Sequence, residues 1–210
     1  MTSLEVYDPA AERAACRSAV YALLAACLRA PDPSLRTAIA TGTLLGSLRE
    51  AFEGAQWPPF PFERLDVGPD ISLEQAYLEH FELGGPAGPP AVLYEAEHGG
   101  GRLKVLEDVL RFYDHFGLDP ARGPAWRDRP DHVATELEFL HVLGFREAKA
   151  LEEGNDPTPF RAAARDFLRF HALDVVTAIS ERIEPRDVPF YSALTALARW
   201  VCAHDLEALS

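Results

Sequence analysis

The strongest constraint on the fold is a helical pattern that follows Pro130. Apolar residues recur there in steps of four and three, and residues with this spacing lie on one face of a helix. This set is Val133, Leu137, Leu140, Gly144, Ala148 and Leu151. Asp131 follows the proline, in a first turn where a carboxylate suits the helix dipole. His132, Glu136 and Phe139 take the same steps on a neighbouring face, which is typical of a polar recognition edge beside a hydrophobic floor.

Helix-forming residues dominate the rest of the chain. Alanine, leucine, arginine and glutamate favour helix, whereas the β-branched residues that several strands would need are scarce. With 210 residues, of which 48% are hydrophobic, the chain can bury a full core. We therefore predict an all-α, single-domain helical bundle over residues 1–210, with about seven helices. The predicted helices span Pro9–Ala30, Pro33–Glu53 with weak points at Gly42 and Gly46, a third from Ser72, Arg102–Phe116, Asp131–Glu153, Asp156–Ile183, and a last one after Pro189 to Ala208.

A Gly/Pro-rich central loop interrupts the helices. Its first part, Gly84–Pro90, cannot be helical, and we expect the whole segment Gly84–Gly101 to act as a hinge or to shape a groove. It contains the polar cluster Tyr94–His98. The helix Arg102–Phe116, about 22 Å long, separates this cluster from the polar start at Asp131. An antiparallel neighbour would return the chain towards its starting end, so the two clusters are predicted to meet.

The charge of the chain limits its partners. The formal net charge is −13 and the pI about 4.9, so nucleic acid and anionic membranes would be repelled. A basic peptide or a basic protein patch would be attracted. We therefore expect a protein partner, no nucleic acid and no stable membrane association.

The cysteines and the first apolar run favour a cytoplasmic protein. The three cysteines are odd in number and have no C-x-x-C spacing, which indicates neither a disulfide framework nor a cysteine zinc site. The run Ala19–Leu28 resembles the core of a signal peptide, but Asp8 and Glu12 precede it. Its helical spacing favours a buried amphipathic helix instead.

An enzymatic alternative is a di-metal carboxylate oxidase. Glu95 with His98, and Glu138 with His141, fit the Glu-x-x-His spacing of di-iron helical bundles. Such a site needs two further inward glutamates, and Glu79 is the one plausible candidate in the sequence. No serine elbow, phosphate loop or catalytic cysteine context is present. Our main prediction is therefore a protein without catalytic activity, metal or cofactor.

Four motifs resemble those of a known chaperone family. They are Tyr77–Phe81 before the Gly/Pro loop, Leu93–Gly99, Pro130–His132 followed by Glu136–Leu140, and Phe167–Leu168 followed by His171. In this order they resemble the TorD/NarJ/DmsD-type chaperones that mature molybdenum-containing oxidoreductases. The chain looks most like the branch serving type II enzymes of the dimethyl sulfoxide reductase family. It departs from the common loop motif at Ala96, where a serine is usual, and at His98, where a tyrosine is usual.

The resemblance implies a cytoplasmic, non-catalytic chaperone that is a monomer or a domain-swapped dimer. Its partner would be the catalytic subunit of a molybdenum oxidoreductase, often held at its twin-arginine leader until the cofactor is inserted. In the family, the Asp-His pair and the aromatic loop contribute to peptide recognition. Here these would be Asp131 and His132, with Tyr94, Glu95 and the helix end at Phe81 beside them.

Simple chemistry extends this set. Arginines of a leader would pair with carboxylates, and the apolar residues beside them would pack on aromatic rings. The predicted partner-binding residues are Phe81, Tyr94, Glu95, Asp131, His132, Glu136 and Phe139. The remaining aromatics at helical spacing, Phe167, Phe170 and Trp200, are predicted to lie in the core, and His171 to be a buried, hydrogen-bonded histidine.

Overall fold

The helices begin and end where proline, glycine and short polar residues punctuate the sequence. The structure is a computed structural model, which describes residues 8–65, 72–86, 88–99, 101–119, 129–186 and 188–210. Its helices are α1 (Pro9–Cys27), α2 (Pro33–Ala40), α3 (Thr43–Gly54), α4 (Leu73–Tyr77), α5 (Arg102–His115), α6 (Val133–Glu152), α7 (Thr158–Phe167), α8 (Leu173–Ile183) and α9 (Pro189–Leu209). The described residues form no strands, and the predicted all-α fold is confirmed.

Side-chain caps fix the early helix starts. The Asp8 carboxylate accepts a hydrogen bond of 2.8 Å from the amide of Ala10, and a proline takes the first position of α1. The single helix predicted over Pro33–Glu53 is wrong, because the chain breaks into α2 and α3 at Gly42. Gly42 has a φ of +75°, a left-handed conformation that cannot continue a helix. Gly46, the other predicted weak point, lies inside α3.

The start of α6 also differs from the prediction. Asp131 does not lie in the first turn, because the N-cap is His132, whose Nδ1 accepts a hydrogen bond of 3.1 Å from the amide of Ala134. His132 has extended backbone angles, and the helix begins at Val133. The shift of two residues leaves Asp131 outside the helix, where it can bind the neighbouring loop.

Two π-helical turns extend shorter helices. One runs over Leu78–Glu82 directly after α4, and the other over Leu168–Ala172 joins α7 to α8. The predicted helix Asp156–Ile183 is therefore continuous from Thr158 to Ile183 but not uniformly α-helical. A π turn inserts a residue and changes which side chains share a face, and such turns are frequent at functional sites.

The centre of the bundle is the pair α1 and α6. The predicted apolar face of α6 is buried from Val133 to Ala148, with Leu151 half-buried at its end. A Cβ on Gly144 would lie 3.0 Å from the Cβ of Ser18, which shows how closely the two helices approach. In α1 the apolar run predicted to be an amphipathic helix is buried at Val20 and Leu24. Among the described residues, no helix combines the length and apolar character needed to cross a membrane.

Candidate partner-binding site

The two polar clusters predicted to meet do so through backbone hydrogen bonds. The amide of Val133 donates to the carbonyl of Leu93 at 2.8 Å, and the amide of Glu95 donates to the carbonyl of Asp131 at 2.9 Å. This pairing forms an isolated antiparallel bridge between Tyr94 and His132. The central loop is therefore fixed to the residues that lead into α6, and the predicted meeting of the clusters is confirmed.

Asp131 holds this junction from inside. Its carboxylate is fully buried and accepts two hydrogen bonds from the Arg129 guanidinium, at 2.9 Å from Nε and 2.6 Å from Nη2. It also accepts one of 3.2 Å from the amide of Ala96. Because a backbone amide makes that contact, it does not depend on the side chain at position 96. A carboxylate satisfied in this way positions the loop and is not exposed to a partner.

Tyr94 and His132 are packed against each other at the same junction. The guanidinium of Arg129 lies 4.4 Å from the centre of the Tyr94 ring, and the His132 ring meets that ring edge-on at 5.1 Å. His132 is buried and its Nδ1 is used as the helix cap. Tyr94 is half-buried, so it is the member of this pair that keeps an open surface.

Glu95 joins the loop to the second π turn. Its two carboxylate oxygens lie 3.1 and 3.0 Å from Nδ1 of His171. The His171 ring packs against the rings of Phe167 and Phe112. The predicted buried, hydrogen-bonded histidine is confirmed. The predicted partner-binding set does not include His171. The motif of Phe167 and Leu168 followed by His171 was the sequence signal that pointed to this residue.

Glu136 is the least expected member of the site. It is fully buried, and neither carboxyl oxygen has a hydrogen-bond partner among the described residues. Burial, reinforced by the neighbouring Glu95 and then Asp131, raises the pKa of Glu136 well above its ordinary value. The uncharged acid therefore persists to higher pH than in an exposed glutamic acid. In this conformation Glu136 does not present the charged carboxylate to a partner that its sequence position predicted.

The two predicted phenylalanines are part of the core. Phe139 is buried against Phe167 and Tyr113, with ring centres 4.7 and 4.9 Å away. Phe81 is buried against Tyr191, with ring centres 4.9 Å apart. Large aromatic side chains gain most from complete burial, and in this conformation neither ring is open to a partner.

An acidic groove opens beside Glu95, between α5 and α8. Its volume is about 480 Å³, and its lining includes Glu95, Asp108, Phe170, His171, Asp174 and Glu181. Lys104 is the basic residue of the α5 wall. Phe170 was predicted to be a core residue, but its side chain is 60% exposed in the groove, so that prediction is wrong. Carboxylates beside an exposed aromatic ring suit a partner that is both cationic and apolar.

The glutamates and histidines of the metal hypothesis do not form one site. Glu138 forms an ion pair with Arg29, two residues beyond the end of α1, and the His141 Nδ1 lies 2.7 Å from the Ser18 hydroxyl oxygen. His98 instead contacts the carbonyl of Val92 through Nε2, at 2.7 Å. Within the described ranges, no group of three or more metal-binding side chains is placed to hold an ion. The di-metal alternative is therefore not supported.

Comparisons with known proteins give one consistent family. Residues 37–178 match the family model described as nitrate reductase delta subunit. The chain is 39% identical to the selenate reductase assembly chaperone protein of Thauera selenatis over 135 residues, covering 63% of this chain and 68% of that one. It is 32% identical to the dimethyl sulfide dehydrogenase assembly chaperone protein of Rhodovulum sulfidophilum over 202 residues, covering 92% and 80%. For the perchlorate reductase assembly chaperone protein of Dechloromonas aromatica, the identity is 30% over 210 residues, covering 94% and 92%. No solved structure matches the chain.

Proposed function

The chain belongs to the nitrate reductase delta subunit family, of TorD/NarJ type, and we propose that it is an assembly chaperone without catalytic activity. Its client is the catalytic subunit of a molybdenum-containing oxidoreductase, which it holds in the cytoplasm until the cofactor has been inserted. The relatives that support this role are named as assembly chaperones of a selenate reductase, a dimethyl sulfide dehydrogenase and a perchlorate reductase.

One observation carries the proposed binding mode: a reachable carboxylate and an exposed aromatic ring line the same groove. The Glu95 side chain is 11% exposed, and Phe170 stands open beside it. A client segment with arginines and apolar residues would place a guanidinium on Glu95 and an apolar side chain on Phe170. A twin-arginine leader has this composition.

The other carboxylates of the groove give it a negative electrostatic potential. Asp108 faces the groove from α5, and Asp174 and Glu181 face it from α8. They would attract a basic segment over a distance set by the salt concentration. We expect association to slow and affinity to fall as salt is added, because partly exposed charges act mainly on the rate of encounter.

The buried residues of the junction position this carboxylate. Asp131 fixes the loop through Arg129 and through the amide next to Glu95. His132 caps α6 and packs on Tyr94. We therefore assign Asp131 and His132 to positioning Glu95 and Tyr94, and we assign the direct client contacts to Tyr94, Glu95 and the groove.

Client capture by matched variants tests this proposal. Purified chaperone would be titrated with the separately purified catalytic subunit of its host's molybdenum oxidoreductase. A second titration would use a peptide of that subunit's leader. We expect Glu95→Gln to weaken binding about tenfold, the loss of roughly one charge-assisted hydrogen bond. Glu107→Gln is the matched control, because Glu107 lies exposed on α5 and does not line the groove. If both variants bound the client equally well, the groove would not be the binding site. If the wild-type chain failed to bind the catalytic subunit, it would not be that subunit's chaperone.

A further inference from the structure

A second cavity lies at the opposite end of the bundle. It has a volume of about 460 Å³ between the start of α1, the end of α9 and the second half of α6. Its α6 residue, Glu147, comes 14 positions after Val133, which places it about 21 Å along the helix from the Tyr94–His132 bridge. The cavity is therefore separate from the acidic groove.

Buried carboxylates in its wall are already paired. Glu147 forms ion pairs with Arg17 and with Nε of Arg161, the latter at 2.7 Å. Asp205 accepts a hydrogen bond of 2.8 Å from the Tyr21 hydroxyl and lies 3.4 Å from Arg17 Nη1. Both carboxylates are almost completely buried, so their charge is compensated inside the protein.

Two arginines of the cavity have guanidinium nitrogens that could bind a ligand. Arg13 lines it and makes no hydrogen bond or ion pair with any residue that the structure describes. Arg161 is 44% exposed, and its Nε is the nitrogen that binds Glu147, which leaves its Nη groups for another acceptor. The lining thus holds three arginines against two carboxylates, in a chain whose overall balance is 20 basic to 33 acidic residues.

Rings and methyl groups form the rest of the wall. Trp57 and His204 both line the cavity and meet edge to face, with ring centres 5.8 Å apart. Ala14 and Ala55 add apolar surface. We propose that this cavity binds a small organic oxyanion with a planar apolar body, the oxyanion held by Arg13 and Arg161 and the body packed against Trp57. Guanidinium groups recognise phosphate and carboxylate alike, so the ligand class includes aryl phosphates and aryl carboxylates.

Calorimetric titration with simple probes tests this site. The probes are phenyl phosphate, phenylacetate, inorganic phosphate and the neutral benzyl alcohol. We expect saturable binding of at least one aryl anion and weaker binding of inorganic phosphate, which lacks the ring. Benzyl alcohol should bind at least about tenfold more weakly than the aryl anion, because it makes no charge-assisted hydrogen bond. Preference between the two aryl anions identifies the oxyanion.

Variants locate the binding. Arg13→Gln should weaken the aryl anion about tenfold, whereas Arg36→Gln, at an exposed arginine paired with Glu74 on α4, should leave it unchanged. Binding of the aryl anion should also change the fluorescence of Trp57. Trp57→Phe should reduce the affinity for the aryl anion and remove that change. The proposal is overturned if no aryl anion saturates the protein, if benzyl alcohol binds equally well, or if Arg13→Gln has no effect. Client capture is independent of this result, since Arg13 lies outside the groove.

Discussion

The Glu95 carboxylate and the His171 imidazole lie 3.0 Å apart although 76 residues separate them in the chain. The contact ties the central loop to the π turn between α7 and α8, at the floor of the acidic groove. His171 thus occupies the hydrogen-bonding position that a client guanidinium would need on Glu95. On the proposed binding mode, Glu95 is already engaged inside the protein, and a client guanidinium would have to replace that contact.

Removing this internal competitor should strengthen client binding. In His171→Leu the imidazole is lost while an apolar side chain still fills the space beside Phe167. We expect affinity for the leader peptide to rise about three- to tenfold, because one competing hydrogen bond contributes about 0.5–1.5 kcal/mol. Calorimetric titration of wild type and variant measures this. A lower affinity with an unchanged melting temperature would instead mean that His171 contacts the client directly.

Removing the buried carboxylate of the junction should loosen the loop. Asp131→Ala removes the two hydrogen bonds that Arg129 donates to Asp131 and leaves the Ala96 amide without an acceptor. We expect the free energy of unfolding to fall by about 1–3 kcal/mol, the usual effect of leaving a buried donor without its acceptor, because Arg129 is 28% exposed and keeps Glu97 as a partner. Urea unfolding measures the loss. Hydrogen exchange should also show that the amide of Ala96 loses protection, since its acceptor is the Asp131 carboxylate.

A surface ion pair provides the comparison for Asp131. Glu153→Ala removes an exposed partner of Lys149, one helical turn away on α6. Such pairs contribute about 0.5 kcal/mol or less. If the two alanine variants lost similar stability, Asp131 would not hold the junction in the way that its burial indicates.

Much of this architecture follows from local sequence. Pro9 and Asp8 set the start of α1, and the apolar face from Val133 onwards sets α6 as a central helix. The meeting of the two polar clusters followed from the length of the helix between them. These features depend on spacing and on turn chemistry, which single residues and their neighbours determine.

Other features needed the packed structure. The cap of α6 is His132, whereas the carboxylate of Asp131, one residue earlier, is bound by Arg129. The exposure of Phe170 follows a π turn that adds one residue and rotates the face, which a period of 3.6 cannot anticipate. The burial of Glu136 likewise depends on residues distant in sequence.

A matched pair of glycines tests the approach of α1 to α6. Gly144→Ala adds a methyl group 3.0 Å from the Cβ and 3.3 Å from the Cα of Ser18, so the helices must separate. We expect a loss of about 1–3 kcal/mol in the free energy of unfolding. Gly46→Ala, inside α3, meets no atom within 4 Å and should gain up to about 1 kcal/mol from helix propensity. Thermal unfolding of both variants shows whether each change raises or lowers the free energy of unfolding. A stabilising Gly144→Ala would contradict the close packing of α1 and α6.

Replacing the buried acid Glu136 by glutamine should stabilise the protein in a pH-dependent way. Because burial and Glu95 raise the pKa of Glu136 in the folded chain, the unfolded chain releases this proton first as pH rises. The folded chain then binds more protons, so the free energy of unfolding of the wild type falls with pH until the raised pKa is passed.

Glutamine does not titrate. We expect Glu136→Gln to match the wild type near about pH 4 and to exceed it increasingly at higher pH, by about 1.4 kcal/mol for each unit by which folding raises the pKa of Glu136. Urea unfolding across this pH range measures the difference, and an advantage that stayed constant with pH would show that Glu136 titrates normally.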